Sequence, residues 1–407
     1  MKIRLSLILS LLIAAVVAAA DFRIDSTAPD GSKLTGTLTL TPPTTLPIPP
    51  VPATRPIEIV PQTKPVLLPA MVQRTAPAKN VRGDGFRIPP AQTTATAFVA
   101  DGWEQNVVVE NHPLPTTLYD FFSVRSHPQL PEPEGTYRGQ GFYANKCGPI
   151  VIDGYYARQS GWQQGQPPQK RDRFRHHIYS NFECQGLIVR NSWLDDAACA
   201  AIQSRGPAAE VEDCFLTANG IAMLFTSGAK LKRITIYGGH CYYFPADPAT
   251  GKPASWAGDV ALQAYYPVDM EDIWIVGKPG QGADVTSIPG LKTYHLGAIV
   301  SGGNYGKPEW TPPKDSHGNR ITKLVTARNC RIVGWPGESF AGASPHDGSG
   351  FIVAGRPVDV NAEIDAIRSL METRQITIKE AVARAQAVVR EAARKTLPSE
   401  AAQGAAR

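Results

Sequence analysis

The sequence contains no Cys-x-x-Cys pair and no Cys and His residues at zinc-ligand spacing, so it gives no sign of a metal site. Charged residues are sparse, at 19% of 407, and the formal net charge is only +5. That charge is too small to indicate nucleic-acid binding, although it favours an acidic polymer over a basic one as a partner. After the first twenty residues, no apolar run is long enough to span a membrane.

The first twenty residues have the composition of an export signal. Lys2 and Arg4 precede an apolar run from Leu5 to Ala20, which ends in three alanines just before Asp21. A charged start, a short apolar stretch and small residues at a cleavage point are typical of a signal peptide. We therefore expect residues 1–20 to be removed and the mature protein to be secreted, periplasmic or at the cell surface.

Export would permit disulfide bonds among the six cysteines, Cys147, Cys184, Cys199, Cys214, Cys241 and Cys330. Many complete pairings are compatible with six cysteines, and the sequence does not choose among them. The alternative is that these residues are small buried thiols in the core.

The region after the signal peptide is predicted to be a short β segment followed by a spacer. Residues 21–40 contain two alternating stretches around the turn signal Pro29-Asp30-Gly31, which predicts a small hairpin or a lone strand pair. Ten prolines then fall between Pro42 and Pro69. Because proline cannot occupy a helix interior or a strand ladder, residues 41–79 are expected to be an extended linker.

The end of the chain is predicted to be helical. Asn361 can cap a first helix, which carries an apolar face of Ile364, Ile367, Leu370 and Met371. Thr377 and Glu380 have the spacing of a capping box. The helix that they open has an apolar stripe of Ile378, Ala381, Val382, Ala385, Val388, Val389 and Ala392. Residues 358–396 therefore form a helical hairpin that covers an exposed edge of the main domain or pairs with a second copy, and residues 397–407 form a disordered tail.

Between these ends, residues 80–357 repeat two short strand patterns. The first has one aliphatic anchor in each copy: Ile178, Ile202, Leu224, Leu262, Ile299 and Ile352. The second is six residues long, with an aliphatic residue or Ala first, usually Asn or Asp third, and Leu or Ile sixth; its copies span 189–194, 211–216, 231–236, 270–275 and 327–332. The closest anchors are 24 and 22 residues apart. That spacing is typical of one solenoid turn.

The copies contain strands and no helical stretch, so the pattern favours a parallel β-helix over leucine-rich repeats, with a β-sandwich as the alternative. The stretch HHIYSNFECQGLIVRNSWLDDAACAAIQSRG resembles the right-handed parallel β-helix proteins of the pectate-lyase-like superfamily. This resemblance covers roughly residues 140–356. It implies an exported protein that acts on polysaccharides, whether as a lyase, an epimerase or a polygalacturonase-like hydrolase, or a non-catalytic surface protein. It also makes Ca²⁺ a conceivable cofactor, although no dedicated ligand cluster is evident.

Strand alternation assigns the face that a ligand would contact. With the anchors pointing inward, the expected substrate-binding residues are Gln203, Phe225, Gln263 and Tyr265. Insertions at 238–258, 277–296 and 335–349 are expected to line one edge of this face, and residues 303–320 the other edge. A floor between two walls forms a groove, and we expect it to bind a linear, acidic polysaccharide.

The predicted chemistry is proton abstraction next to a uronate carboxylate. Arg205 would neutralise the carboxylate, while His177 or Tyr179 would transfer protons, because His177 and Tyr179 are predicted to share a face. Two alternative sites remain open. Asp195 and Asp196 resemble the paired carboxylates of polygalacturonases, although the motifs that flank them in that family are absent. His346 and Asp347 resemble a motif of alginate epimerases, with Ser344 in place of its first Asp.

Overall fold

A computed structural model of the chain describes residues 20–27, 33–40, 71–76, 84–126, 139–161, 175–207, 209–244, 256–283, 294–301, 314, 318, 324–341 and 349–398. The chain divides into two units, residues 1–65 and residues 66–407. In the first unit, β1 (Ala20–Thr27) and β2 (Lys33–Leu40) pair as an antiparallel hairpin.

The second unit is a stack of coils whose strands pair in parallel with the coils before and after. Nine strands form one sheet, which we call face 1: β4 (Asp84–Ile88), β7 (Gln105–His112), β9 (Phe142–Cys147), β11 (His176–Ser180), β14 (Ala200–Ser204), β17 (Ile221–Phe225), β21 (Trp256–Ala264), β24 (Tyr294–Ser301) and β27 (Glu338–Ala341). A tenth strand, β20 (Tyr242–Phe244), pairs with β21 in the antiparallel sense.

The other sheet bends into two rows. Face 2 contains β5 (Thr94–Thr96), β12 (Leu187–Arg190), β15 (Ala209–Glu212), β18 (Ala229–Lys232), β22 (Val268–Glu271) and β25 (Val325–Arg328). Face 3 contains β3 (Val72–Thr75), β6 (Phe98–Asp101), β13 (Trp193–Asp195), β16 (Phe215–Asn219), β19 (Thr235–Gly239), β23 (Trp274–Val276), β26 (Cys330–Val333) and β28 (Phe351–Ala354). Two long strands, β8 (Thr116–Val124) and β10 (Ile150–Arg158), run through both rows.

A single residue turns each coil from face 2 to face 3. The third position of the six-residue pattern has a positive φ, between 51° and 54°, at Asn191, Asp213, Arg233, Asp272 and Asn329. Asn and Asp adopt this left-handed conformation more readily than other non-glycine residues, which explains their frequency there. The third position is therefore a bend that splits each predicted second strand into two.

The strand register confirms the predicted alignment of the six-residue pattern. At its first position, Val189, Val211, Leu231, Met270 and Ala327 stack in register. At its sixth position, Leu194, Leu216, Ile236, Ile275 and Ile332 do the same. The structure thus confirms an all-β, parallel, solenoid-like fold followed by two helices.

Two of the predicted face 1 anchors are wrong. The residue opposite Ile202 is Met223, and Leu224 lies opposite Gln203 instead. Ile352 belongs to face 3, where it pairs with Arg331, and the last anchor of face 1 is Phe340, opposite Ile299. In the first case the sequence alignment slipped by one residue, which reverses the assigned side of every residue in the strand.

Aromatic residues lie on both sides of the sheet that forms face 3. Inside the solenoid, the rings of Phe98, Phe121 and Tyr155 stack in series, with centroid separations of 4.9 and 4.3 Å, and Phe86 of face 1 lies tilted against Phe98 at 4.7 Å. The outer side carries a second buried series, which contains Phe122, Tyr156, Trp193, Phe215, Tyr237 and Trp274. Large apolar rings on an outer side require a cover, since exposing them to water would be unfavourable.

The C-terminal hairpin is that cover. Helix α1 (Asn361–Glu372) buries Ile364, Ile367 and Met371, and α2 (Ile378–Arg394) buries Ile378, Ala381, Val382, Ala385, Val389 and Ala393 against the outer aromatic series. The Thr377–Glu380 capping box is present as predicted. The predicted cap by Asn361 is wrong, because Val360 occupies the cap position and makes no side-chain capping bond. The hairpin packs on a sheet face, not on an edge.

Candidate ligand-binding platform on face 1

The outer surface of face 1 carries a column of side chains that the strand register aligns. Tyr143 lies opposite Tyr179 in the next coil, and Tyr179 lies opposite Gln203 in the coil after that. Neighbouring strands are about 4.8 Å apart, so side chains in one column stack on each other. The rings of Tyr143 and Tyr179 are parallel to within 5°, with centroids 5.9 Å apart.

Further side chains extend this column sideways. The ring of His176 stacks on Tyr179 at 5.5 Å, and Arg205 donates a hydrogen bond from Nη1 to the Tyr179 hydroxyl at 3.3 Å. The guanidinium carbon of Arg205 also lies 5.7 Å from the ring centre of Phe182, which is 60% exposed. We call this set the platform: Tyr143, His176, Tyr179, Phe182, Gln203 and Arg205.

The platform combines three kinds of contact. Aromatic rings offer flat apolar faces, the Gln203 amide offers a donor and an acceptor, and the Arg205 guanidinium offers charge-assisted donors that match a carboxylate. The structure therefore brings together Tyr179, Gln203 and Arg205, all three of which the sequence had placed at the site.

His177 does not join them, and its predicted place beside Tyr179 is wrong. Its side chain is fully buried, with Nδ1 2.8 Å from the Ser160 hydroxyl, and its backbone carbonyl accepts a hydrogen bond from the hydroxyl of the interior residue Tyr155. No hydrogen-bond partner among the described residues reaches its Nε2. Because burial penalises the charged form, the pKa of His177 falls to about 3.

The physical reason is a break in strand alternation. Residues i and i+3 of a regular strand point to opposite sides, yet His176 stacks on Tyr179. The later coils carry a signal of this break, because the position of His177 is occupied by small buried residues, Ala201, Ala222, Ala261 and Ala298. His176 thus takes the outer place that the sequence had assigned to His177.

His176 packs beneath the exposed residues of the platform as a buried, neutral imidazole. Burial lowers its pKa to about 3, and the positive charge of Arg175 and the neighbouring His177 act in the same direction. Its Nδ1 lies 3.4 Å from the backbone N–H of Ala200, which can donate to it. The ring is therefore uncharged at neutral pH and supports Tyr179 from below rather than contacting a ligand itself.

Phe225 is excluded from ligand contact, which corrects another predicted residue. It is fully buried and lies in register with Ser204 and Ala264. Leu224 occupies the outer column instead, between Gln203 and Gln263. The one-residue slip described above accounts for this error.

Gln263 and Tyr265 lie further along the same surface. Gln263 continues the outer column, and its Nε2 donates a hydrogen bond to the Tyr265 hydroxyl. The amide group is only 2% exposed, whereas Tyr265 is partly exposed. Of this pair, Tyr265 is the residue whose side chain reaches solvent.

The two aspartates proposed as paired carboxylates have separate environments. Asp195 is buried and accepts a hydrogen bond from the Thr217 hydroxyl at 2.7 Å, and its Oδ2 lies 3.1 Å from Nε of Arg368 on α1. Asp196, one residue later, has a positive φ and lies 3.8 Å from Nε2 of His240. Asp195 is therefore an anchor for the hairpin rather than a carboxylate held ready for water.

The Asp196–His240 contact was not predicted from the sequence. Nε2 of His240 also lies 2.8 Å from the carbonyl oxygen of Ala197, a contact that spans two coils. Since a carbonyl only accepts, this nitrogen carries the proton. No local sequence motif predicts this contact, because the two residues are far apart in the sequence.

Much of the predicted groove wall lies outside the described residues, including His346, Asp347 and residues 303–313. In the described part, the insertion at 238–258 begins and ends as a hairpin, since β20 pairs with the start of β21. No group of three His, Cys, Asp or Glu side chains within the described ranges is arranged to hold a metal ion. None of the described helices is long and apolar enough to cross a membrane.

Comparison of the chain with protein-family models, with curated proteins and with solved structures finds no match.

Proposed function

We propose that the protein is an exported right-handed parallel β-helix, similar to the pectate-lyase-like proteins, that binds an acidic polysaccharide across the platform. The observation that carries this proposal is the Arg205 guanidinium placed between the Tyr179 hydroxyl and the exposed Phe182 ring. Aromatic faces next to a cation suit a polymer whose sugar rings have apolar faces and carboxylate groups.

The direction of the strands supports a linear ligand. The platform crosses three consecutive coils of face 1, from Tyr143 through Tyr179 to Gln203. A polymer lying along the stack would meet one side chain of the column about every 4.8 Å. This spacing between side chains is close to the length of one sugar unit, so each sugar of the polymer would contact one side chain of the column.

A second candidate function is β-elimination or epimerisation at the same place, and the Tyr179–Arg205 hydrogen bond favours it. As a phenolate, Tyr179 would remove the proton next to the uronate carboxylate, while the adjacent Arg205 would neutralise that carboxylate. In a lyase the resulting phenol then returns that proton to the leaving oxygen. The residue in the proton-transfer role would be Tyr179 alone, because His177 faces the interior.

The hydrolase alternative has less support. Asp195 is held by Arg368 and by the Thr217 hydroxyl, and Asp196 lies beside His240, so each carboxylate has its own partners. Inverting hydrolysis needs two carboxyl groups on either side of the bond that breaks.

The experiment is a calorimetric titration with an oligouronate and with a neutral oligosaccharide of equal length. We expect heat of binding with the oligouronate only. The same mixture is followed by ultraviolet absorbance, which rises if elimination leaves a conjugated double bond, and by NMR, which detects epimerisation. Binding of the oligouronate without an unsaturated or epimerised product would show that the protein binds the polymer but is not an enzyme. Absence of oligouronate binding would refute both the binding proposal and the catalytic one.

A further inference from the structure

Two of the six cysteines lie opposite each other on adjacent coils. Cys147 ends β9, three residues before Ile150, and Cys184 lies in the turn three residues before Leu187, which is the partner of Ile150 in the next coil. The backbone agrees, because the Gln185 N–H donates to the Cys147 carbonyl at 2.9 Å. Neighbouring strands separated by about 4.8 Å bring such residues within the Cα separation that disulfides span.

The side chains meet as well as the backbones. The interaction between the two side chains lowers the pKa of Cys184 to about 6 and raises that of Cys147. The Cys147 thiol also donates to the carbonyl oxygens of Val109 at 3.1 Å and Asn145 at 3.0 Å. Cys214 and Cys330 also direct their sulfurs to backbone carbonyl oxygens, Cys214 to those of Val189 and Glu212 and Cys330 to that of Arg328. In both, burial rather than a second thiol is the main cause of the raised pKa.

We propose that Cys147 and Cys184 form a disulfide bond between adjacent coils when the protein reaches an oxidising compartment. The oxidant is a disulfide of the small-molecule or dithiol-carrier class. The Cys184 thiolate attacks one sulfur of that oxidant and releases its first thiol. The Cys147 thiolate then attacks the Cys184 sulfur in the mixed disulfide and releases the second thiol. The protein loses two electrons and two protons, and the oxidant gains them.

The bond would fix one border of the platform. Cys184 belongs to the turn that carries Phe182, and this turn is already tied to the preceding coil by the Asn181 amide, which donates to the Asn145 side chain at 2.9 Å. The turn is tightly packed, because the Cys184 N–H donates to the Asn181 carbonyl at 3.0 Å. A covalent link would hold Phe182, and with it Arg205, in place.

The test uses the full chain, refolded once with reduced and once with oxidised glutathione, followed by alkylation in denaturant and peptide mapping. We expect all six thiols to react in the reduced sample. In the oxidised sample two should be missing, and a peptide cross-linked between Cys147 and Cys184 should appear. The oxidised protein should also melt roughly 5 °C higher, because the bond limits the unfolded chain.

Two variants make the result specific. Cys147→Ser should lose both the cross-link and the difference in melting temperature between the two samples. Cys214→Ser, the matched control, should retain both. A fully reactive set of thiols after oxidation, or a cross-link between other cysteines, would overturn the proposal. Because no glycan is present in this assay, its result is independent of the proposed binding function.

Discussion

Faces 1 and 2 use the same stacking of coils for opposite purposes. On face 2, the outer column reads Asp153, Arg190, Glu212, Lys232, Glu271 and Arg328, so that charge alternates from coil to coil. Several neighbours form ion pairs, such as Arg190 with Asp153 at 2.9 Å and Arg328 with Glu271 at 2.7 Å. The outer column of face 1 from Tyr143 to Val300 contains no charged residue.

The same repeat therefore produces two kinds of surface. The charged side chains of face 2 pair with each other, whereas the platform on face 1 is available to a ligand. Opposite charges directly across neighbouring strands stabilise the observed pairing of the coils. A pairing that brought like charges together would be destabilised. A ligand would have to replace those ion pairs on face 2. On face 1, the cation Arg205 lies beside aromatic rings and a phenolic hydroxyl, and no carboxylate of the described residues pairs with it, so an incoming carboxylate has none of these to displace.

The largest expected effect comes from the covered side of face 3. Trp193 is fully buried beneath the hairpin and donates a hydrogen bond from Nε1 to the Thr217 hydroxyl at 3.1 Å. Trp193→Ala should lower the free energy of unfolding by about 3–5 kcal/mol, because it leaves a cavity under α1 and α2. Phe182→Ala on the platform should change it by less than about 0.5 kcal/mol. Urea unfolding of both variants measures this, and equal losses would refute the assignment of covered and open faces.

The next effect is a pH dependence that arises from the two histidines of β11. Burial lowers the pKa of His176 and of His177 to about 3, whereas the unfolded chain takes up these protons near pH 6.5. The unfolded state therefore binds more protons between those values, so stability is complete above pH 6.5 and falls as the pH falls toward 3.

For each histidine the loss approaches roughly 1.4 kcal/mol per pH unit in that range. Urea midpoints between pH 7 and pH 4 measure it. His177→Gln should give a shallower decline than the wild type, since one of the two titrating groups is removed. A decline of unchanged steepness would show that His177 is not a buried neutral group.

Much of the fold could be predicted from sequence, and the failures have a physical cause. The six-residue pattern aligned without error because its aliphatic first and sixth positions both point inward. The face 1 pattern has only one anchor, so Ile221, Met223 and Leu224 offered competing registers, and the wrong one was chosen.

The site was harder to predict than the fold for a similar reason. Tyr179, Gln203 and Arg205 follow regular alternation and were placed correctly on the outer surface. His176 and His177 precede them at a local break in the strand, where alternation fails. A signal that the prediction did not use is the fifth position of the six-residue pattern, which is aromatic at Trp193, Phe215 and Trp274, the rings that the hairpin covers.

The contrast between faces 1 and 2 can be sharpened with matched arginines. Arg205→Ala should weaken oligouronate binding by at least about tenfold, because it removes the charge-assisted donors of the platform. Arg328→Ala removes another exposed guanidinium, but from face 2, and should leave the affinity unchanged. Calorimetry of the two variants measures this. Similar losses in both would indicate general electrostatic attraction and not a site.

The smallest effect is expected for the loss of a single ion pair between neighbouring coils on face 2. Lys230 is 3.8 Å from Glu210, and both side chains are well exposed. Lys230→Ala should lower the free energy of unfolding by less than about 0.5 kcal/mol, since solvent and salt screen such pairs. Urea unfolding at low and high salt measures the difference. A loss above about 1 kcal/mol would mean that individual ion pairs, rather than core packing, hold the coils together.

The most direct measurement is hydrogen–deuterium exchange of the full chain with and without saturating oligouronate. The account predicts slower exchange in the face 1 segments around residues 142–147, 176–182 and 200–205, and no change in the face 2 segments 209–212 and 229–232. Protection that falls on face 2, or spreads evenly over both faces, would contradict the assignment of the platform as the ligand-binding surface.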